Sequence, residues 1–201
     1  MTVDPGGTFP PPLASLPVRD LLEDVATGSM APGGMSMAAL SGATAAALAG
    51  LVGHLTAGKP GYEPMTEEME RLIERARVLH DQVLTSMDQE VAAFNKLVES
   101  MGLPRGSGDE RDEQSIIRRD LIAIALRGYT QVPLQIGSIG MELVQLCETV
   151  IRYGNREVLA DSGTGLLAAL AAVKSASLHV LINLRGHEDE WATEAREKVT
   201  R

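Results

Sequence analysis

Hydrophobic residues recur at spacings of three and four along most of the chain, which is the period of helices that bury one face. The clearest run predicts one long helix, because its eight members form a continuous seam. They are Ala76, His80, Val83, Met87, Glu90, Phe94, Leu97 and Met101. No segment carries a convincing strand pattern. The chain is therefore predicted to be an all-α bundle of five to six long helices.

Breaks in this pattern divide the chain. Residues 1–16 are rich in proline and glycine and predict a flexible arm, whereas residues 17–201 predict a single helical domain. Helices are expected at about 18–26, 36–57, 66–101, from 109–113 to 129, 133–153 and 161–184, with a polar tail helix at 188–201. Thr66 and Asp161 are the expected N-caps of two helices. Pro133 is expected to interrupt or kink another.

Composition narrows the function classes. Of the 201 residues, 44% are hydrophobic and 22% charged, as in an ordinary globular chain, and the 3% aromatic share argues against an all-β fold. Twenty-seven acidic residues outnumber 18 basic ones, so nucleic acid is not expected as a partner. The single cysteine, Cys147, excludes an intrachain disulfide and a thiolate zinc cage, and it agrees with a cytoplasmic location.

Two alanine-rich stretches, at 37–55 and 165–184, are long and apolar. Alanine is too weakly hydrophobic to favour membrane insertion strongly, so both are interpreted as helices buried inside the bundle. The first 12 residues lack the apolar run of a signal peptide. No membrane partner is expected.

Glu90 is the most informative residue, since it interrupts the apolar seam between Met87 and Phe94. A carboxylate in apolar surroundings must find partners or take up a proton. It is therefore either a general acid/base facing a pocket or a structural group that reaches solvent or pairs with an arginine such as Arg118 or Arg119.

Other polar residues also break apolar faces. His179 and Asn183 lie four apart beside small residues of the last long helix, which leaves room for a ligand or a close helix. Pro32, Gly33 and Gly34 precede a helix whose first N–H groups favour anions, but the lysine and Ser/Thr of a P-loop are missing. The scattered histidines assemble no metal site, so no metal is expected.

Eight short motifs occur together in a specific order. They are 31–39 (APGGMSMAA), Gly58-Lys59 before Tyr62, Glu90 before Ala93-Phe94, Leu103-Pro104, 131–134 (QVPL), Gly154-Asn155, Asp161 before Gly163, and 180–184 (VLINL). With this series, which spans about residues 16 to 194, the chain resembles the cyclodeaminase/cyclohydrolase family. The resemblance implies an all-helical cyclodeaminase-like fold that is usually a homodimer.

The resemblance also implies chemistry at the carbon that bridges N5 and N10 of tetrahydrofolate. A cyclohydrolase adds water to the methenyl group, and a cyclodeaminase closes a formimino group and releases ammonia. A tetrahydrofolate derivative is then the substrate, and no permanently bound cofactor is expected. The implied catalytic residues are Glu90, Asp161 and His179. The implied substrate-binding residues are Gly33, Gly34, Met35, Ser36, Lys59, Tyr129 and Asn183.

Five positions depart from the family pattern, and they lie near the expected pocket. Met35 replaces a glycine, Glu90 an aspartate, Ala160 a serine, Tyr129 a small residue and His179 an asparagine. The main hypothesis is a folate one-carbon enzyme with a buried carboxylate. The alternative is a family member redirected to a non-folate substrate as a biosynthetic cyclase, hydrolase or lyase, with Tyr129 and His179 as new donors. A third is a non-catalytic helical dimer.

Overall fold

A computed structural model of the chain describes residues 11–28, 30–105 and 112–200. These residues contain six α-helices and three short 3₁₀ turns, and no strand. The α-helices are α1 (Val18–Ala26), α2 (Gly34–His54), α3 (Thr66–Met101), α4 (Glu113–Tyr153), α5 (Leu159–Asn183) and α6 (Glu190–Thr200). The prediction of an all-α bundle is confirmed.

Helix α2 is the centre of the bundle, because it packs against α3, α4 and α5. Its small side chains make this possible. Ala39 and Ala45 are fully buried, and a Cβ added at Gly53 would lie 2.8 Å from Cγ1 of Ile73 on α3. A bulkier residue at Gly53 would push α3 away, so the alanine- and glycine-rich pattern sets the distance between the helices.

Helix α4 continues through Pro133, so the predicted interruption there is wrong, whereas the alternative of a kink stays a prediction. A proline inside a helix removes one backbone hydrogen bond and costs about 3 kcal/mol. Here Val132, Pro133 and Ile136 are all buried against the other helices, and this packing offsets the cost. Residues 106–111, where a loop and the start of this helix are predicted, lie outside the described residues, as does Arg201.

The two predicted N-caps are also wrong. The hydroxyl of Thr66 instead accepts a hydrogen bond from the backbone N–H of Gly58 at 3.1 Å. Helix α5 begins at Leu159, two residues before Asp161, because a 3₁₀ turn capped by Asn155 leads directly into it. Asp161 therefore lies inside the first helical turn, where its charge favours the positive end of the helix dipole.

The end of the predicted N-terminal arm is docked on the bundle. Leu13 and Leu16 pack against the core, and the backbone N–H of Leu13 donates to Oδ1 of Asp88 on α3 at 2.9 Å. Residues 1–10 of this arm lie outside the described part of the chain.

Helices α2 and α5 differ in how far they are buried. Both are long and apolar enough to cross a membrane. In the bundle 56% of the most apolar stretch of α2 is buried, as expected, but only 28% of that of α5. The predicted burial of α5 is therefore wrong: Leu167, Leu178 and Ile182 leave one of its faces apolar and exposed.

Candidate active site

Glu90 lies on α3 with only 3% of its surface exposed. The hydroxyl of Ser36 donates to its Oε2 at 3.2 Å, and the hydroxyl of Tyr129 donates to its Oε1 over a longer 3.4 Å. The arginines considered as partners are occupied elsewhere. Arg118 donates to backbone carbonyls near the end of α3, and Arg119 faces Asp120. Among the described residues, Glu90 has hydroxyl partners and no arginine.

The surroundings of Glu90 and Tyr129 change the pKa of both side chains. Burial raises the pKa of Glu90, although hydrogen bonds from Ser36 and Tyr129 and the nearby imidazole of His179 act in the opposite direction. Burial, the charge of Glu90 and the shared hydrogen bond raise the pKa of Tyr129 to about 12. Glu90 therefore retains a proton more readily than an exposed carboxyl, and Tyr129 remains a neutral hydrogen-bond donor.

Three helices bring together the carboxyl of Glu90 and its two hydroxyl partners. Ser36 comes from the first turn of α2, Glu90 from the middle of α3, and Tyr129 from α4. The ring of Tyr129 packs against Phe94, one turn after Glu90, with ring centroids 5.7 Å apart. This contact holds the phenol hydroxyl toward the carboxylate.

His179 reaches the same place from α5 and lies against the N-terminus of α2. A Cβ added at Gly34 would lie 3.4 Å from Cε1 and 3.5 Å from Nε2 of the imidazole. The other ring nitrogen, Nδ1, lies 2.8 Å from the carbonyl oxygen of Ser175. These are ordinary van der Waals distances, so the imidazole packs against Gly34, and the predicted close approach of a ligand to Gly34 stays a prediction.

Asn183 follows His179 by one helical turn, and its side-chain nitrogen is buried without a hydrogen-bond partner among the described residues. An unpaired buried donor costs about 1–3 kcal/mol, and a ligand acceptor would satisfy it. Gly33 has an extended backbone and immediately precedes α2. Met35 is 2% exposed and packs within the hydrophobic core. The predicted contacts of these three residues with substrate stay predictions.

Two further candidates lie at the opposite end of the bundle. Asp161 and His179 are 18 positions apart on α5, about 27 Å along the axis at about 1.5 Å per residue. Lys59 follows the far end of α2 and pairs with Glu157, just before α5. Within one chain, the structure does not bring Asp161 or Lys59 to Glu90, and their predicted roles stay predictions.

Two features of this region were missed in the sequence. The carbonyl of Ser175 holds His179, and the spacing of four residues on one helix could have indicated that contact. A groove of about 940 Å³ is lined on α4 by residues from Gln131 to Met141, but Ser36, Glu90, Tyr129 and His179 do not line it. Its lining residues come from α3, α4, α5 and α6, and no sequence spacing marks it. No group of three or more potential metal ligands occurs among the described residues.

Comparison with known proteins identifies the family to which this chain belongs. Residues 17–201 match the family described as formiminotransferase-cyclodeaminase. The methenyltetrahydrofolate cyclohydrolase of Methylorubrum extorquens is 33% identical over 181 residues, which cover 90% of this chain and 85% of that protein. The formimidoyltransferase-cyclodeaminase of Mus musculus is 30% identical over 173 residues, 86% of this chain.

The lengths of these relatives differ. This chain spans 31% of the mouse protein, about a third of its length. The crystal structure of formiminotetrahydrofolate cyclodeaminase from Thermotoga maritima has the same fold, with a TM-score of 0.78 at 23% identity over 92% of this chain and 91% of that one. Since a family match covers nearly the whole chain and a relative of similar length supports it, this chain belongs to the formiminotransferase-cyclodeaminase family.

Proposed function

We propose that this chain is a folate one-carbon enzyme that hydrolyses 5,10-methenyltetrahydrofolate to 10-formyltetrahydrofolate. The observation that carries the proposal is the buried carboxyl of Glu90, held by hydroxyls from two other helices. Membership of the family supports the folate substrate. The name and similar length of the Methylorubrum relative favour hydrolysis over ammonia release.

The reaction needs a group that can both give and take a proton. After water adds to the methenyl carbon, the bond from that carbon to N5 breaks only when N5 receives a proton. The protonated carboxyl of Glu90 supplies it, and the resulting carboxylate then accepts the hydroxyl proton as the formyl C=O forms. Because burial raises the pKa of Glu90, its proton remains available up to a higher pH than that of an exposed carboxyl.

Ser36 and Tyr129 position this carboxyl. Each hydroxyl contacts a different oxygen of Glu90, so the two contacts restrict the orientation of the carboxyl group before substrate binds. The free side-chain N–H of Asn183 is available for a carbonyl or ring nitrogen of the pterin. Disturbing this positioning should slow the reaction, because displacing a catalytic group by about 1 Å can lower the rate about 10²-fold.

The test is the loss of methenyl absorbance when purified protein is added to 5,10-methenyltetrahydrofolate. We expect rapid loss with the wild type, and a decrease in kcat of about 10²- to 10⁴-fold in Glu90→Gln. The exposed Glu99→Gln on the same helix is the matched control and should retain full activity. Full activity of Glu90→Gln would refute the assigned role of the carboxyl, and an inactive wild type would refute the hydrolase.

The second candidate function is the cyclodeaminase reaction, which the names of the mouse relative and the Thermotoga structure favour. It is tested by adding 5-formiminotetrahydrofolate and measuring ammonia. Ammonia release with accumulation of the methenyl product would identify the lyase. If neither folate reacts, the redirected family member becomes the better hypothesis.

A further inference from the structure

In the cycle described above, Glu90 is protonated at the start, so a second group must take the proton that the attacking water loses. Glu90 ends the cycle with the proton that it had at the start, but the attacking water must also lose a proton. We propose that Nε2 of His179 accepts this proton, so that His179 is the second proton-transfer residue of the site. This inference rests on the proposed function.

The first support is the way in which the imidazole is held. Nδ1 of His179 lies 2.8 Å from the carbonyl oxygen of Ser175. A carbonyl can only accept, so Nδ1 must carry a hydrogen. In the neutral ring the second nitrogen, Nε2, then has a free lone pair and can take up a proton.

The second support is the position of Nε2. It lies beside Gly34 in the first turn of α2, 3.5 Å from where a Cβ would be, which is an ordinary van der Waals distance. Ser36, in the same turn, binds Glu90. One turn of helix therefore contacts both the carboxyl of Glu90 and the imidazole of His179.

Among the described residues, few titratable groups face His179. Glu90 faces it from α3 and Tyr129 from α4, and the imidazole is close enough to lower the pKa of Glu90. Helix α2 contributes Gly34 and Ser36, which do not titrate in the working range. A change in the pH profile on removing His179 is therefore interpretable.

The proposed hydrolysis proceeds through two proton-transfer residues. The water oxygen bonds to the methenyl carbon, and one water proton passes to Nε2, which leaves a neutral adduct and an imidazolium. Glu90 protonates N5, the bond from carbon to N5 breaks, and the carboxylate takes the hydroxyl proton. The imidazolium then releases its proton to solvent. The sum is the methenyl cation plus water giving 10-formyltetrahydrofolate and one proton.

The experiment measures kcat/KM against pH for the wild type, His179→Gln and His179→Ala. The wild type should lose activity on the acid side as the imidazole becomes protonated. Both variants should have kcat lowered about 10²- to 10⁴-fold, and their acid-side decrease should disappear. Added imidazole should restore part of the rate of His179→Ala in proportion to its concentration, which a purely structural role would not produce.

The matched control is His54→Asn, since His54 is an exposed histidine at the far end of α2. Its profile should equal that of the wild type. Folate-induced thermal stabilisation verifies that each variant is folded and binds; if His179→Gln fails this check, His179→Ala and its rescue by imidazole provide the test.

An unchanged acid limb in a folded His179 variant, or no rescue by imidazole, would overturn the role of His179 while Glu90 remains essential. An inactive wild type would instead overturn the proposed function itself.

Discussion

Glu90 has two hydroxyl donors of unequal strength. Ser36 lies 3.2 Å from one carboxylate oxygen and Tyr129 lies 3.4 Å from the other, and a shorter contact is the stronger one. Both hydrogen bonds stabilise the ionised form and lower the pKa of Glu90, with Ser36 contributing more. Removing either donor must therefore raise that pKa further.

The consequence is a prediction for the alkaline side of the pH profile. Glu90 acts in its protonated form, so activity falls as pH rises through its pKa; a higher pKa moves this decrease to higher pH. Ser36→Ala should shift it more than Tyr129→Phe, which also keeps the ring contact with Phe94. We also expect kcat to fall about 10-fold or more in Ser36→Ala as the carboxyl loses its orientation.

The measurement is kcat/KM against pH with the methenyl substrate. Ser41→Ala is the control, because this hydroxyl on α2 donates to its own helix backbone and not to Glu90. A shift to lower pH in Ser36→Ala would contradict the assignment of the alkaline limb to Glu90.

At the scale of the helix, two glycines of α4 allow a matched comparison. A Cβ at Gly140 would lie 2.7 Å from Cγ2 of Val173 on α5, whereas a Cβ at Gly128 would meet nothing within 4 Å. Gly140→Ala should therefore destabilise the fold by about 1–3 kcal/mol through overpacking. Gly128→Ala should stabilise it by about 1 kcal/mol, because alanine is the better helix former.

Thermal unfolding separates the two effects, since each kcal/mol moves Tm by about 2–4 °C in a chain of this size. We expect Gly140→Ala to lower Tm and Gly128→Ala to raise it. Equal destabilisation by both variants would show that the close approach of α4 and α5 at Gly140 does not limit the packing.

The sequence predicted the long elements well because their signal is periodic and extends over many residues. The ends of α1, α3 and α4 are examples. It predicted the interruption at Pro133 wrongly, since local propensity does not include burial of the flanking residues. The expected caps Thr66 and Asp161 failed for a related reason: the turns before them supply other hydrogen bonds.

The site was predictable only in part. Glu90 was recognisable because a charge on an apolar seam is visible within one helix. Its grouping with Ser36, Tyr129 and His179 depends on how four helices pack, and no spacing within one helix contains that information. The resemblance supplied Ser36 and Tyr129 as candidates, whereas His179 also stood out from the pattern of its own helix. It also supplied Asp161, which lies about 27 Å from His179 along α5.

For the whole molecule, the exposed face of α5 is the feature that the single chain leaves unexplained. Leu167, Leu178 and Ile182 are 69%, 55% and 60% exposed, and their spacing places them on one side of the helix. Lys174 lies between them, and its aliphatic stem can cover apolar surface. Monomeric proteins rarely leave a large contiguous apolar patch in water. We therefore expect this face to pack against a second copy, as the family resemblance implies.

The substitution Leu167→Glu tests this expectation without touching the candidate site, because residue 167 is about 18 Å from His179 along α5. Burying a carboxylate in the interface should weaken dimerisation by at least about 2 kcal/mol, roughly 30-fold in Kd. Sedimentation velocity at micromolar concentration should show a dimer for the wild type and a larger monomer fraction for Leu167→Glu. The control Leu22→Glu, at an exposed leucine of α1, should remain dimeric. If the wild type sediments as a monomer, or both variants dissociate alike, then the apolar face of α5 is not the contact between copies.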